Sequence, residues 1–505
     1  MSDNNQRKIG VVLSYLSIII STLIQIIYTP LLIRYLGDSE YGLFSLVSSI
    51  IGYLTILDLG FGNAIVVFTS KYRANGEIEK EKKLYGMFKV IFIIIGIIAS
   101  ILGIILFLNV NNLFSATMTD VELHKMKIMM LILTFNLAIT FPFSIYSAII
   151  TAYEKFTFLK LTSIFNSIIK PVIMIPLLFL GFKSITLCLV ITIINITILL
   201  MNYFYCYKKL NIKIKYCGFD KVLFKTIFAY SFYIFLNVIV DKVNWSLDQF
   251  ILGAVSGTVA VSIYSVASQI NVLFINLSST VSNVLLPKMS KLVANNASSE
   301  QLTDELVKIG RIQCFIIFLL ASGFCLVGKE FIKLWAGDNY GDSYYVAILL
   351  IIPACIPLIQ NLALSICQAL NKHKFRAYVT TIMAFINAII SYFLAKLYGP
   401  IGTAFGTTIA IVVCNIIVLN IYYHKIVKLD MIKFWKNIFR IIIPFTVPLT
   451  IIILFKKFVY LSGIYGILIY GSIYTILYCS VGYYFCMNNY EKSLIKGLFL
   501  RKKVK

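Results

Sequence analysis

About 14 stretches of mostly apolar residues, the first starting near Val11 and the last ending at Cys486, follow one another with only short polar intervals. A helix that crosses a bilayer needs roughly 20 apolar residues, and most of these stretches reach that length. They are continuously apolar and do not alternate, so the backbone groups they carry into lipid must be satisfied within helices, not in a barrel. The expected fold is all-α, a polytopic membrane protein with about 14 spanning helices near 9–34, 41–69, 85–109, 126–151, 158–181, 184–206, 223–253, 258–287, 308–328, 343–369, 376–398, 400–423, 437–455 and 464–486. With 60% hydrophobic and 13% charged residues in 505, nothing is left over for a soluble domain.

An even number of spans puts both ends of the chain on one side. Placing the termini inside assigns roughly 34 of the 45 Lys and Arg to the inner loops and ends, which is the bias that orients membrane proteins. The expected location is therefore a bacterial cytoplasmic membrane, multi-pass, with both termini cytoplasmic. The net charge of +24 resides in loop clusters such as Lys71 to Lys83, Lys208 to Lys225 and Lys288 to Arg311. Orientation and attraction to anionic lipid account for these clusters, so no nucleic-acid partner is expected. Arg7 and Lys8 precede a run too long for a signal peptide and without a small-residue cleavage site, which reads as an uncleaved first helix. The ten cysteines show no CxxC and the three histidines are isolated, so neither a metal site nor a disulfide framework is expected.

The two halves echo one another. Residues 37–50, GDSEYGLFSLVSSI, align with 257–270, GTVAVSIYSVASQI, through Gly37/Gly257, Ser45/Ser265, Ser48/Ser268 and Ile50/Ile270. A weaker match joins AYEKF (152–156), leading to a helix that ends at Gly181, with ALNKHKF (369–375), leading to one that ends at Gly399. A duplication would divide the chain into a bundle of helices one to six at 1–216, a second of helices seven to twelve at 217–427, and an appended pair with a basic tail at 428–505.

Five ionised groups stand far from any span end: Asp58, Lys170, Asp241, Lys242 and Asp248. A charge at the bilayer centre costs about 2.5–3.5 kcal/mol even on the insertion scale, so each needs water or a partner. In the seventh helix Asn237, Asp241, Asn244 and Asp248 recur at steps of four, three and four and share one face, with Trp245 beside them. An indole there can stack on a sugar or fill a gap. Lys170 and Lys242 are cations suited to a diphosphate, although Lys170 with Asp241, or Lys242 with Asp58, would also make plain ion pairs between helices. Pro171 removes a backbone donor next to Lys170 and favours a bend. Asp58 lies in Leu57-Asp58-Leu59-Gly60-Phe61-Gly62-Asn63, which suits a proton or sodium site or a tight packing contact. Gln269, with other amides of the eighth and tenth helices, offers hydrogen bonds to hydroxyl groups. These groups point to a transporter with a polar path. The expected substrate-binding set is Lys170, Lys242, Asn237, Asn244, Trp245 and Gln269, and the expected cation-coupling set is Asp58, Asp241 and Asp248.

Leu36-Gly37 with Tyr41-Gly42-Leu43, GYLTILDLGFGNAI (52–65) and DQFILGAVSGTVAVSIYSVASQI (248–270) together resemble the corresponding segments of Wzx-type polysaccharide flippases. Those belong to the multidrug/oligosaccharidyl-lipid/polysaccharide exporter superfamily. The resemblance implies two six-helix bundles around a central cavity, plus helices thirteen and fourteen. It further implies movement of undecaprenyl-diphosphate-linked oligosaccharide to the outer leaflet, driven by a proton or sodium gradient without a bound cofactor, and an association with a polysaccharide polymerase. The alternatives are a multidrug or cation antiporter of the same superfamily and a flippase for the peptidoglycan precursor. A membrane glycan polymerase fits least, because the longest outer loops carry no paired acids, and an enzyme is not expected.

Overall fold

A computed structural model describes residues 3–493 apart from 213, 215, 217, 296, 371, 373 and 460; the side chains of Asn237, Asp241, Asn244 and Trp245 lie outside the described set. The helices are α1 (Asp3–Leu36), α2 (Asp38–Ala74), α3 (Ile78–Phe114), α4 (Asp120–Ala152), α5 (Phe156–Phe179) and α6 (Ser184–Lys208). Helices α7 and α8 are the two arms of Lys221–Ala294 on either side of Gly257. Next come α9 (Ser299–Ala336) and α10 (Gly341–Ile359), the latter continued by a short helix, Asn361–Ala369. Helices α11 (374–398) and α12 (400–427) flank Gly399, and α13 (Met431–Phe458) and α14 (Gly463–Cys486) close the chain. Among the described residues 12 helical segments are long and apolar enough to cross a membrane. Breaking two of them at Gly257 and Gly399 yields the 14 helices expected.

The sequence echo between the halves has a backbone counterpart. Gly37 and its match Gly257 both take φ 82°, with ψ 165° and −176°, at the elbow between two consecutive helices. An L-residue strongly disfavours that conformation, so glycine at both places follows from the turn itself.

The second helix departs from expectation. It is not one continuous run over 41–69 but stops at Leu54, passes through a 3-10 turn at Thr55–Asp58, and restarts at Phe61. Leu59 (φ 53°) and Gly60 (φ 73°) both sit in the left-handed region between the two pieces. A leucine there costs on the order of 1 kcal/mol or more.

The chain divides into two compact units, Met1–Ser265 and Val266–Lys505, with the division inside α8. Lipid offers little drive for helices to associate, so close approach at small residues and shared hydrogen bonds hold such units together. In the first unit α3 and α4 meet so closely that a Cβ on Gly103 would lie 2.3 Å from Thr134 Cγ2, and one on Gly96 2.8 Å from the Ala138 carbonyl. Asn195 of α6 donates to Asn136 (2.6 Å) and Thr140 (2.8 Å) of α4. Helix α7 runs along α2, with Gly253 against Leu46 and Phe61 6.4 Å from the ring of Phe228. Gly42 packs so tightly on the start of α8 that a Cβ would stand 1.9 Å from the Thr258 carbonyl and 3.2 Å from the nitrogen of Ser262, its own counterpart in the repeat.

In the second unit α9 is the common neighbour of α10, α13 and α14. Gly310 admits the ring of Phe434, and Phe445 stacks on Tyr478 with centroids 3.7 Å apart. Gln360 and Trp435 both donate to Asn420, at 2.9 and 2.8 Å. The Gln360 amide therefore serves helix packing.

Candidate functional site

The first unit contains Lys170, Lys242, Asp58 and Asp248 with described side chains. Lys170, in the middle of α5, is partly accessible and forms no ion pair among the described residues. It ends a polar stripe, Ser163, Asn166, Ser167 and Lys170, on the face where Ser163 meets Ser17 of α1 at 3.3 Å. Helix α1 carries a matching stripe of Ser14, Ser17, Ser21 and Gln25, spaced three and four residues apart. The Ser17–Ser163 contact and the Tyr35–Phe179 ring contact (4.9 Å) fix the register, which places Lys170 level with residues 24–26 of α1. Gln25 lies at that depth. The rest of α5 is apolar towards the outside, with Leu161 and Val172 more than half exposed. The helix runs through Pro171 and Pro176 without interruption.

Lys242 of α7 is the second cation. Its Nζ lies 3.8 Å from where a Cβ on Gly52 would stand, which seats the ammonium against α2. No ion pair within 4 Å joins it to Asp58, so the expected alternative of a plain Lys242–Asp58 bridge is not realised. The partner proposed for Lys170, Asp241, lies outside the described residues, as do the side chains of Asn237, Asn244 and Trp245. Their backbones belong to α7, so the four-three-four spacing of the polar stripe stands on a real helix.

Asp58 has a job that the break in α2 explains. A helix start leaves amide groups without intrahelical partners. The Asp58 carboxylate lies beside the start of the second piece of α2, its oxygens 3.7 and 3.9 Å from where a Cβ on Gly62 would stand. Irregular backbone at this depth persists only where protein or water satisfies it, and the half-buried Asp58 is the polar side chain nearest the break.

Asp248 is sealed within the protein. It is 1% exposed, accepts a hydrogen bond from the hydroxyl of Tyr264, and acts electrostatically on Tyr53 of α2. Gln269 falls in the second unit, where it is half-buried and already engaged. The structure thus gathers Asp58, Lys242 and Asp248 along the α2–α7 contact and places Lys170 on the separate α1–α5 seam.

A polar cluster that sequence reasoning passed over ties the ends of five helices, α2, α4, α6, α7 and α8. Glu40 is 8% exposed, pairs with Lys125 of α4 and accepts from the hydroxyl and amide of Ser184 at the start of α6. Glu122 accepts from Ser39 (2.5 Å), Thr258 (2.8 Å) and both the amide and hydroxyl of its capping partner Thr119. Thr117 completes the cluster by donating to the Gly253 carbonyl at 2.8 Å. These carboxylates hold the α7–α8 elbow to α2 and α4. The signal available in the sequence was the capping box Thr119-x-x-Glu122, but charges at span ends read as merely solvated.

A family model described as polysaccharide biosynthesis protein matches residues 8–293, more than half of the chain. A putative O-antigen transporter of Shigella flexneri is 24% identical over 414 residues, which is 80% of this chain and 94% of that protein. The capsular polysaccharide biosynthesis protein CapF of Staphylococcus aureus is 24% identical over 295 residues, 57% of this chain and 70% of that one. Among solved structures, the lipid II flippase MurJ in an inward closed conformation superposes with a TM-score of 0.74 at 19% identity, covering 98% of this chain and 100% of its own. An inward-facing multidrug resistance MATE family transporter follows the same fold with a TM-score of 0.66 at 13% identity, covering 79% and 92%. Fourteen apolar helices, charges held at mid-depth and this family match lead to one conclusion: the chain is a multi-pass membrane protein of the polysaccharide biosynthesis protein family.

Proposed function

We propose that the protein is a flippase, a transporter and not an enzyme, that carries undecaprenyl-diphosphate-linked oligosaccharide across the cytoplasmic membrane for surface polysaccharide synthesis. The observation that carries this reading is Lys170, a partly accessible cation at mid-span with no ion-pair partner among the described residues. An ammonium in that position is stable only if water or a mobile anion reaches it. Lys242 is a second such cation, on the α2–α7 contact, and two cations suit a diphosphate. The names of the O-antigen transporter and of CapF support a saccharide cargo.

In this reading the diphosphate pairs with Lys170 and Lys242 while the glycan meets the amides of α7 and the indole of Trp245. The prenyl chain stays in lipid. Alternating exposure of these groups to the two sides moves the head group, and a proton or sodium ion at Asp58, Asp241 or Asp248 resets the cycle. Termini on the cytoplasmic side, and a duplication of 1–216 in 217–427 with 428–505 appended, complete the proposal. The matched backbone at Gly37 and Gly257 supports the duplication.

Thermal unfolding of the purified full chain with added ligands tests the cargo class. Undecaprenyl-diphosphate-linked glycan raises the midpoint by several degrees, as any ligand specific to the native state does, and a lipophilic cationic dye leaves it in place. Stabilisation by the dye alone contradicts the proposal and favours a multidrug antiporter.

A further inference from the structure

The second unit contains a pocket unrelated to the mid-membrane charges. It opens where the starts of α9 and α13 meet the end of α14, and its volume is about 640 Å³. Small-molecule sites commonly measure about 300–1,000 Å³. Its wall carries three cations, Lys308, Arg311 and Arg440, against one carboxylate, Asp304.

The carboxylates nearby are already spent. Asp304 accepts from Lys433, which is not among the lining residues, at 2.7 Å. Glu491 forms a two-point bridge to Arg311, with Nε–Oε1 2.6 Å and Nη2–Oε2 2.9 Å, and Nη2 also reaches the Cys486 carbonyl at 2.8 Å. Those bonds use Nε and Nη2 and leave Nη1 over. Lys308 keeps a loose 4.0 Å pair with Glu305 and lies over the Tyr490 ring at 4.0 Å. Arg440 is exposed and in no ion pair among the described residues. Asn437 and Asn488 add neutral polar groups to the wall. The pocket therefore presents Arg440, in no ion pair among the described residues, and Lys308, in a loose one, in a frame set by the Arg311–Glu491 bridge.

One side of this basic pocket is greasy. Phe485, which lines it, is 80% exposed, and Phe439 and Ile443 beside Arg440 are 53% and 65% exposed. On a spanning helix such side chains face acyl chains. A ligand that fills the pocket and covers its flank has a phosphate at one end and hydrocarbon at the other.

We propose that this pocket binds the headgroup of an anionic glycerophospholipid, with Lys308 and Arg440 on the phosphate, Arg311 Nη1 behind it, and the acyl chains along Phe439, Ile443 and Phe485. Basic pockets between spanning helices take such headgroups, and they belong on the leaflet faced by the Lys- and Arg-rich loops, which is where the starts of α9 and α13 lie. The site is independent of the transported substrate.

Titration of the detergent-purified full chain, read by thermal unfolding, compares dioleoyl phosphatidylglycerol, dioleoyl phosphatidylcholine and inorganic phosphate. The wild type prefers phosphatidylglycerol over phosphatidylcholine by roughly tenfold in half-saturating concentration, and the double variant Lys308→Gln/Arg440→Gln loses that preference. Both substitutions are at accessible side chains, and an unchanged midpoint without lipid verifies folding; Arg440→Gln alone, at the more exposed position, gives a second reading with a partial loss. Equal response to the two lipids overturns the proposal, as does a preference that survives in both variants. Full stabilisation by inorganic phosphate alone overturns the lipid assignment in favour of a free-anion site.

Discussion

Lys170→Ala and Lys242→Ala each lower translocation of lipid-linked oligosaccharide at least about tenfold in proteoliposomes, because truncating one partner of a desolvated charge pair costs roughly 2–5 kcal/mol. Arginine at either position retains part of the activity, since it keeps the charge and a bidentate donor set for phosphate. The companion measurement separates transport from folding. Neither lysine has an ion-pair partner among the described residues, so the thermal midpoint of Lys170→Ala stays level or rises, a mid-membrane charge having been removed without orphaning another. Had Lys170 been half of a structural bridge, the same change would leave a buried acid alone and cost about 3–5 kcal/mol. A large drop in stability with normal transport contradicts the assignment.

The second large effect concerns stability. Glu491→Ala destabilises the second unit by about 3–5 kcal/mol, measured by thermal or denaturant unfolding in detergent, because it strips the counter-ion from Arg311. Arg311 is 8% exposed and Glu491 4%, and the bridge between them is two-pointed. The carboxylate also takes the Asn488 amide at 2.9 Å, while the Asn488 side chain accepts from the Glu491 amide at 2.9 Å, a reciprocal cap on the turn that follows α14, so its loss frees a second group. Replacing both partners, as in Arg311→Met/Glu491→Leu, restores most of the loss, since no lone charge remains. A Glu491→Ala protein as stable as the wild type contradicts the packing described for α9 and α14.

The spans were legible because run length and continuity are strong signals when the solvent is lipid, and the elbow glycines were legible because the repeat aligned Gly37 with Gly257. What the sequence did not disclose was the interruption of α2. Gly60 and Gly62 were visible, but the turn falls on Leu59, whose left-handed backbone no propensity announces. The Asp58 carboxylate lies beside it, near Gly62, a relation between a side chain and a specific break. The Glu40 and Glu122 cluster was missed for a different reason. A charge near a span end costs little by itself, so nothing in the sequence marks which ends converge; only packing brings Ser184 and Thr258 to those carboxylates. The seam of α1 with α5 was within reach, since serines at 14, 17 and 21 followed by Gln25 keep helical spacing inside an apolar run. Asp248 was legible as a charge inside a span, but its burial against Tyr264 depends on packing that spacing does not reveal.

The central claim is that Lys170 and Lys242 face water within the membrane. In a cysteine-free background, Lys170→Cys and Lys242→Cys are exposed to a charged methanethiosulfonate reagent in membrane vesicles, with Val172→Cys on the lipid side of α5 as the reference. The account predicts rapid modification at 170 and 242, slowed by lipid-linked oligosaccharide, and little at 172. Reaction at 170 and 242 no faster than at 172 contradicts it.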